Sequence, residues 1–223
     1  MDDVQALLNR PKFYYNIDGV GELAVGVMGM GYLLLFWLQV HSPLHSFWNK
    51  LYPLVIYVAL MSLGLHYGTK AVKQRITYPR TGFVSYKKSM AFWPAVFSIT
   101  VASVTAFGFL TLLRHGVDST TPACLIGGLF FAVCYGYGMA RAVSWKWLVA
   151  WGIVLAAVVV AFLPGRILVS LTGDSWTARY FDAKLVGAFL LYWMALSMLL
   201  LISGGISFFL YLRHTQAPAQ DGE

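Results

Sequence analysis

Residues 69–89 read TKAVKQRITYPRTGFVSYKKS, with Lys70, Lys73, Arg75, Arg80, Lys87 and Lys88 and no acidic residue among them. Long apolar runs flank this stretch on both sides. Short loops rich in Lys and Arg stay on the cytoplasmic face of a membrane. The stretch therefore predicts a membrane protein and fixes the direction in which it is threaded.

Composition points the same way. The chain is 59% hydrophobic and 11% charged, and its mean hydropathy is +0.67. A soluble domain is roughly 25% charged, because its surface must face water. Too few charges are present here to cover a globule, so the solvent is lipid. The net charge of +7, gathered largely in one loop, suits an anionic membrane face. The expected partners are the bilayer and its anionic lipids. No aromatic-and-basic module marks a nucleic-acid binder, so no nucleic-acid partner is expected.

Outward from the basic stretch lie six apolar runs, at residues 20–40, 51–67, 90–113, 122–140, 147–163 and 185–212. Each has the length needed to cross about 30 Å of hydrocarbon. The predicted fold class is all-α: a six-helix transmembrane bundle over residues 19–213. With residues 69–89 inside, Arg10, Lys12, Arg141, Lys146 and Arg213 join the six loop cations there. Lys50, Arg114, Arg166, Arg179 and Lys184 fall outside, so both termini are predicted to be cytoplasmic. Residues 1–18 read as an interfacial segment and not as a cleavable signal, and residues 214–223 as a disordered polar tail.

Local signals refine this map. Pro53, Pro94 and Pro122 fall at helix beginnings, Thr120 or Thr121 can cap the fourth helix, and Pro164 ends the fifth. Residues 164–184 read as an amphipathic segment on the outer surface, capped by Asp174. In the basic loop, Ile76 to Tyr78 and Phe83 to Tyr86 alternate around Pro79-Arg80-Thr81-Gly82. That pattern admits a short β-hairpin as well as an irregular loop.

Small residues mark where helices approach one another, since membrane helices associate by close backbone packing. Cys124, Gly128, Ala132, Gly136 and Ala140 recur every four residues, and Gly64 with Gly68 and Gly26 with Gly29 make shorter versions. Packing within one bundle and contact between subunits are both open for this ridge. The six cations of the basic loop are the candidate contacts for anionic lipid or a cytoplasmic partner. Glu22 and His66 are the candidate intramembrane polar groups. Glu22 falls in a first helical turn, where a carboxylate is favoured, so capping or pairing with a loop base such as Arg80 is its expected role.

Chemistry is sparsely signalled. His41 and His45 have a metal-compatible spacing, but Pro43 separates them, and no metal site is expected. His66 is alone among the spans, so a bis-histidine haem lacks its second ligand, and no cofactor is expected. Cys124 and Cys134 are about 15 Å apart along a helix, too far to bridge, and read as free buried thiols. HExxH, GxSxG, GxxxxGK[ST] and CxxC are all absent. No catalytic residue is predicted.

The segments FYYNIDGVGELAVG and YPRTGFVSYK together resemble an uncharacterised family of small bacterial polytopic inner-membrane proteins. That family has an Asp-Gly…Glu start and a Pro-Arg-Thr-Gly-aromatic-Val loop. The resemblance implies a bacterial inner membrane and brings no activity. The first functional expectation is a non-enzymatic membrane subunit, in a homo-oligomer or accessory to a larger complex, with the small-residue ridge as its contact. The second is a small-solute channel or transporter, with Glu22 and His66 at its inner mouth and Ser62, Ser98, Thr100, Ser103, Thr105 and Ser197 along the path. An interfacial lipid-active enzyme ranks third.

Overall fold

The computed structural model describes residues 18–43, 45–50, 52–77, 79, 120–137, 143–173 and 182–214. Among these the chain is all-helical. Helix α1 is Val20–His41 and α2 is Tyr52–Val72, which runs on into a π-helical turn, Lys73–Thr77. Helix α3 is Thr120–Tyr135. A 3-10 turn, Ser144–Lys146, leads into α4, Trp147–Ala161. The short α5, Gly165–Ser170, precedes α6, Ala183–His214. Four helical segments are long and apolar enough to cross a membrane: Val20–His41, Tyr52–Thr77, Ser144–Ala161 and Ala183–His214. Thr120–Tyr135 is equally apolar but shorter. The predicted third span, residues 90–113, lies outside the described residues, as do residues 1–17 and 215–223. Of the two terminal segments only Asp18 and His214 are described. Asp18 is buried in the bundle and not interfacial, and His214 is the last residue of α6 and not part of a disordered tail.

The longest helix organises the others. At 32 residues, α6 is about 48 Å long and exceeds the hydrocarbon thickness. Helix α1 packs against it antiparallel: Glu22 meets Ser203, Gly26 faces Leu201, Gly29 faces Ser197, and the Tyr32 ring meets Phe189 edge-on at 6.2 Å. Glycine at 26 and 29 is what lets the backbones close, because a Cβ at either would strike the α6 side chain opposite. Helices α3 and α4 form a second antiparallel pair, with Gly128 against Ala157 and Gly136 against the Trp147 ring. Ile153, Ala157, Ala188, Tyr192 and Leu196 bury the seam where this pair meets α6. The other side of α4 shows Leu148, Trp151, Leu155 and Phe162 to the surroundings, as a lipid-facing surface would.

Several local expectations are corrected. The second span does not stop at Tyr67 but continues helically to Thr77, so Lys70, Lys73 and Arg75 are helical residues and not loop. Ile76 and Thr77 lie in that π-helical turn and not on a hairpin strand, and Pro79 is helical; Tyr78 and residues 80–86 of the proposed hairpin are outside the described residues. The helix continues because Lys73 and Thr77, four residues apart, both reach Asp18. Thr121 sends its hydroxyl across to the Ala161 carbonyl at 3.2 Å, joining α3 to the end of α4. The backbone N–H of Lys184 is bonded by Asp182 at 2.9 Å, at the start of α6; Asp174 is not described. Of the two free thiols only Cys124 is buried, and Cys134 is on an exposed face.

Pro164 ends α4 as expected and starts α5, whose Leu168 is fully buried. The Leu168 carbonyl lies where a Cβ of Gly187 would stand, which seats α5 on the first turns of α6.

Candidate functional site

Five chain segments bring polar side chains together at one end of the bundle: the start of α1, the end of α2, the end of α3, the turn before α4 and the last third of α6. The chain enters α1 through Asp18 and Gly19. Gly19 has φ +71°, a left-handed conformation that side chains resist, and a Cβ there would strike the Gly204 carbonyl. This turn lets Asp18 fold back, and its Oδ1 accepts the Val20 N–H at 3.2 Å. The next turn of α1 carries Glu22, which reaches α6, while Asp18 reaches the end of α2.

Each carboxylate has a lysine. Lys146 Nζ lies 2.8 Å from Glu22 Oε1, and the two side chains are 0% and 1% exposed. Tyr135 donates to the same oxygen at 2.7 Å, and Ser203 donates to Oε2 at 3.0 Å. Tyr135 and Ser203 are themselves 3.1 Å apart. Glu22 thus ties α1 to three other segments, with both oxygens satisfied. Lys73 Nζ stands 3.5 Å from Asp18 Oδ2, which also accepts the Thr77 hydroxyl at 3.0 Å. Tyr211 closes this second layer by donating to the Thr77 carbonyl at 3.0 Å.

The position of Lys146 is informative. It immediately precedes α4, where the helix dipole presents positive charge and a cation is disfavoured. The contact with Glu22 offsets that cost, and the 3-10 turn delivers the ammonium inward. An isolated charge at this depth would be several kcal/mol unfavourable, whereas a paired and hydrogen-bonded one is tolerated. Four ionisable side chains of alternating sign therefore cluster with no net charge.

The sequence singled out Glu22 but not its partner. Its expected base was in the loop, near Arg80, which lies outside the described residues; the observed partner is Lys146, from a different connection. Lys73, expected to meet lipid headgroups, is instead 3% exposed and paired with Asp18. Lys70 and Arg75 are exposed, while Lys87 and Lys88 are not described. Nothing in sequence spacing links Glu22 to Lys146. A usable signal was the scarcity of acids near a span, which makes any cation bracketed by Trp145 and Trp147 a candidate partner.

The other predicted residues fall as follows. Cys124, Gly128 and Ala132 are buried along α3, with Gly128 packed on Ala157 of the same chain. Ala140 is outside the described residues. Among the described residues nothing lies within 4 Å of a Cβ built at Gly64 or Gly68. His66 is on α2, and its side chain, like that of Ser62, is outside the description. Ser197 donates to the Trp193 carbonyl of its own helix at 2.7 Å; residues 98, 100, 103 and 105 are not described. His41 is exposed, its Nδ1 2.9 Å from the Trp37 carbonyl, and no grouping that could hold a metal occurs among the described residues.

The glycine contacts predict a simple contrast. Gly128→Leu should lower the unfolding temperature in detergent by several degrees without changing particle mass, because it overpacks α3 on α4 within one chain. Gly127→Leu, where no described atom is near, should leave melting unchanged. A mass change in Gly128→Leu with unaltered melting would show that the ridge serves contact between copies.

No protein-family profile matches the chain, and neither a curated protein nor a solved structure does.

Proposed function

We propose that this chain is a six-span integral protein of a bacterial inner membrane, with both termini cytoplasmic, that carries protons, or a small solute together with them, through its helix bundle. The Glu22–Lys146 pair carries this reading, since its side chains are 1% and 0% exposed inside the bundle. Such a pair is a poor stabiliser, because apolar residues of similar volume hold a core as well or better. Acids and bases inside membrane bundles mark ion paths and proton relays. Glu22 can take up a proton, Lys146 balances its charge, and the hydroxyls of Tyr135 and Ser203 bond directly to the carboxylate.

Helix directions support the six-span layout. Helix α2 ends at the polar end, next to Asp18, while α3 begins at the far end, next to Ala161. An odd number of crossings must join them, and residues 90–113 are apolar enough to supply one. The excess of Lys and Arg puts the polar end on the cytoplasmic side, with exposed Lys70 and Arg75 towards anionic lipid. A path within the chain is favoured over a subunit contact because Gly128, midway along the small-residue ridge, is covered by α4 of the same chain.

Vesicles reconstituted with the protein and loaded with a pH-sensitive dye test this. Under a valinomycin-set potassium potential, the parent should acidify its lumen faster than empty vesicles. The Glu22→Gln/Lys146→Met double variant, neutral and of similar volume, should fall to the empty-vesicle rate. A parent no faster than empty vesicles would remove the carrier reading. Constant copurification with another membrane protein would then favour an accessory subunit.

A further inference from the structure

Between the two ion-pair layers sits one buried hydroxyl that neither uses. Ser207 is 5% exposed, and its Oγ has no hydrogen-bond partner among the described residues. It is four residues from Ser203 and four from Tyr211, so the three stand on one stripe of α6, about 6 Å apart along the axis. Ser203 belongs to the Glu22–Lys146 layer and Tyr211 to the Asp18–Lys73 layer. Across the interface Ser207 faces Gly19, the residue between Asp18 and the α1 helix that carries Glu22.

We propose that Ser207 holds a bound water that joins the two ion pairs into one hydrogen-bonded column, and that this column is the proton's route from the cytoplasmic surface to Glu22. The second half rests on the carrier reading above; the first does not. A hydroxyl buried without a partner is costly, and buried waters occur where such groups need satisfying. One water on Ser207 reaches across the axial rise of about 6 Å to Ser203 with two hydrogen bonds of ordinary length, and Ser207 itself adjoins Gly19 on the Asp18 side. The ammonium groups of Lys73 and Lys146 belong to the layers on either side and each is matched by a carboxylate, so the position between them carries no net charge and suits a neutral ligand. Other buried polar atoms also lack described partners, such as the hydroxyls of Tyr192 and Thr120. Neither of those lies between charged pairs.

The transfer balances. A proton arriving from the Asp18 side reaches the water held by Ser207, which passes one of its own hydrogens to Ser203, whose hydroxyl hydrogen passes to Glu22 Oε2. The carboxylate becomes a neutral acid, each hydroxyl regains a hydrogen, and the reverse sequence restores the start. No oxidant, reductant or leaving group takes part.

Water-edited solid-state NMR on protein with labelled serines, in lipid bilayers, tests the water directly. The Ser207 signal is identified by its loss in Ser207→Ala. Magnetisation from water should reach Ser207 quickly, while Ser197, bonded to its own helix, should lag. Equal lag at Ser207 would overturn the proposal. In the vesicle assay Ser207→Ala, which removes no protein hydrogen bond seen here, should slow a parent flux about tenfold. An unchanged flux would overturn the column while leaving the carrier reading intact. If the parent carries no flux, fast transfer at Ser207 supports the bound water and removes its transport role.

Discussion

Changing Lys146 to Met should cost about 3–5 kcal/mol of unfolding free energy, because it strands the Glu22 carboxylate in the bundle without its counter-charge. Glu22→Leu should cost a similar amount by stranding the ammonium. The double variant Glu22→Leu/Lys146→Met should recover most of either loss, since the desolvation penalty goes with the charges. Tyr135 and Ser203 keep each other as partners at 3.1 Å, so the double variant leaves neither hydroxyl isolated. Unfolding of purified protein in mixed micelles, followed by circular dichroism, gives all three values. A double variant as unstable as the sum of its singles would mean that the two residues act independently and that the pairing is wrong.

The adjacent pair Gly204–Gly205 offers the second large effect, with its own control. A Cβ at Gly204 would stand 2.7 Å from the Leu23 amide nitrogen and 2.9 Å from the Gly19 carbonyl oxygen. Both are backbone atoms of α1 or its cap and cannot swing aside. Gly204→Leu should therefore force α1 away from α6, at a cost of about 3 kcal/mol. It should also break the Ser203–Glu22 hydrogen bond and, on the proposed carrier reading, reduce proton flux. Gly205 points where no described atom lies within 4 Å, so Gly205→Leu should stay within about 0.5 kcal/mol of the parent. Equal effects at the two positions would contradict the α1–α6 packing.

Apolar run length made the helices legible, because a membrane crossing demands it whatever the neighbours are. The same property hid the faces. Helix α4 is apolar on every side, so periodicity alone does not separate its buried Ile153 and Ala157 from its exposed Leu148 and Trp151. Small residues recovered part of this information: Gly26, Gly29 and Gly128 all lie where two backbones approach. Gly64 and Gly68 show the limit of that signal, having no described neighbour. For the site, Glu22 was visible as an acid too deep for the surface. Lys73 and Lys146 were not, because charge counting treats every cation between spans as solvated. Lys73, six residues past an apolar run, looks like loop until the helix is seen to continue through it.

The order in which the chain is made gives the α1–α6 pairing a further significance. Of the described helices α1 leaves the ribosome first and α6 last, yet Ser203 and Gly204 contact it directly. During synthesis Glu22 must wait at the membrane until Lys146 and then Ser203 have emerged. A chain halted before α6 leaves Glu22 without the Ser203 hydroxyl and the glycine face of α1 uncovered.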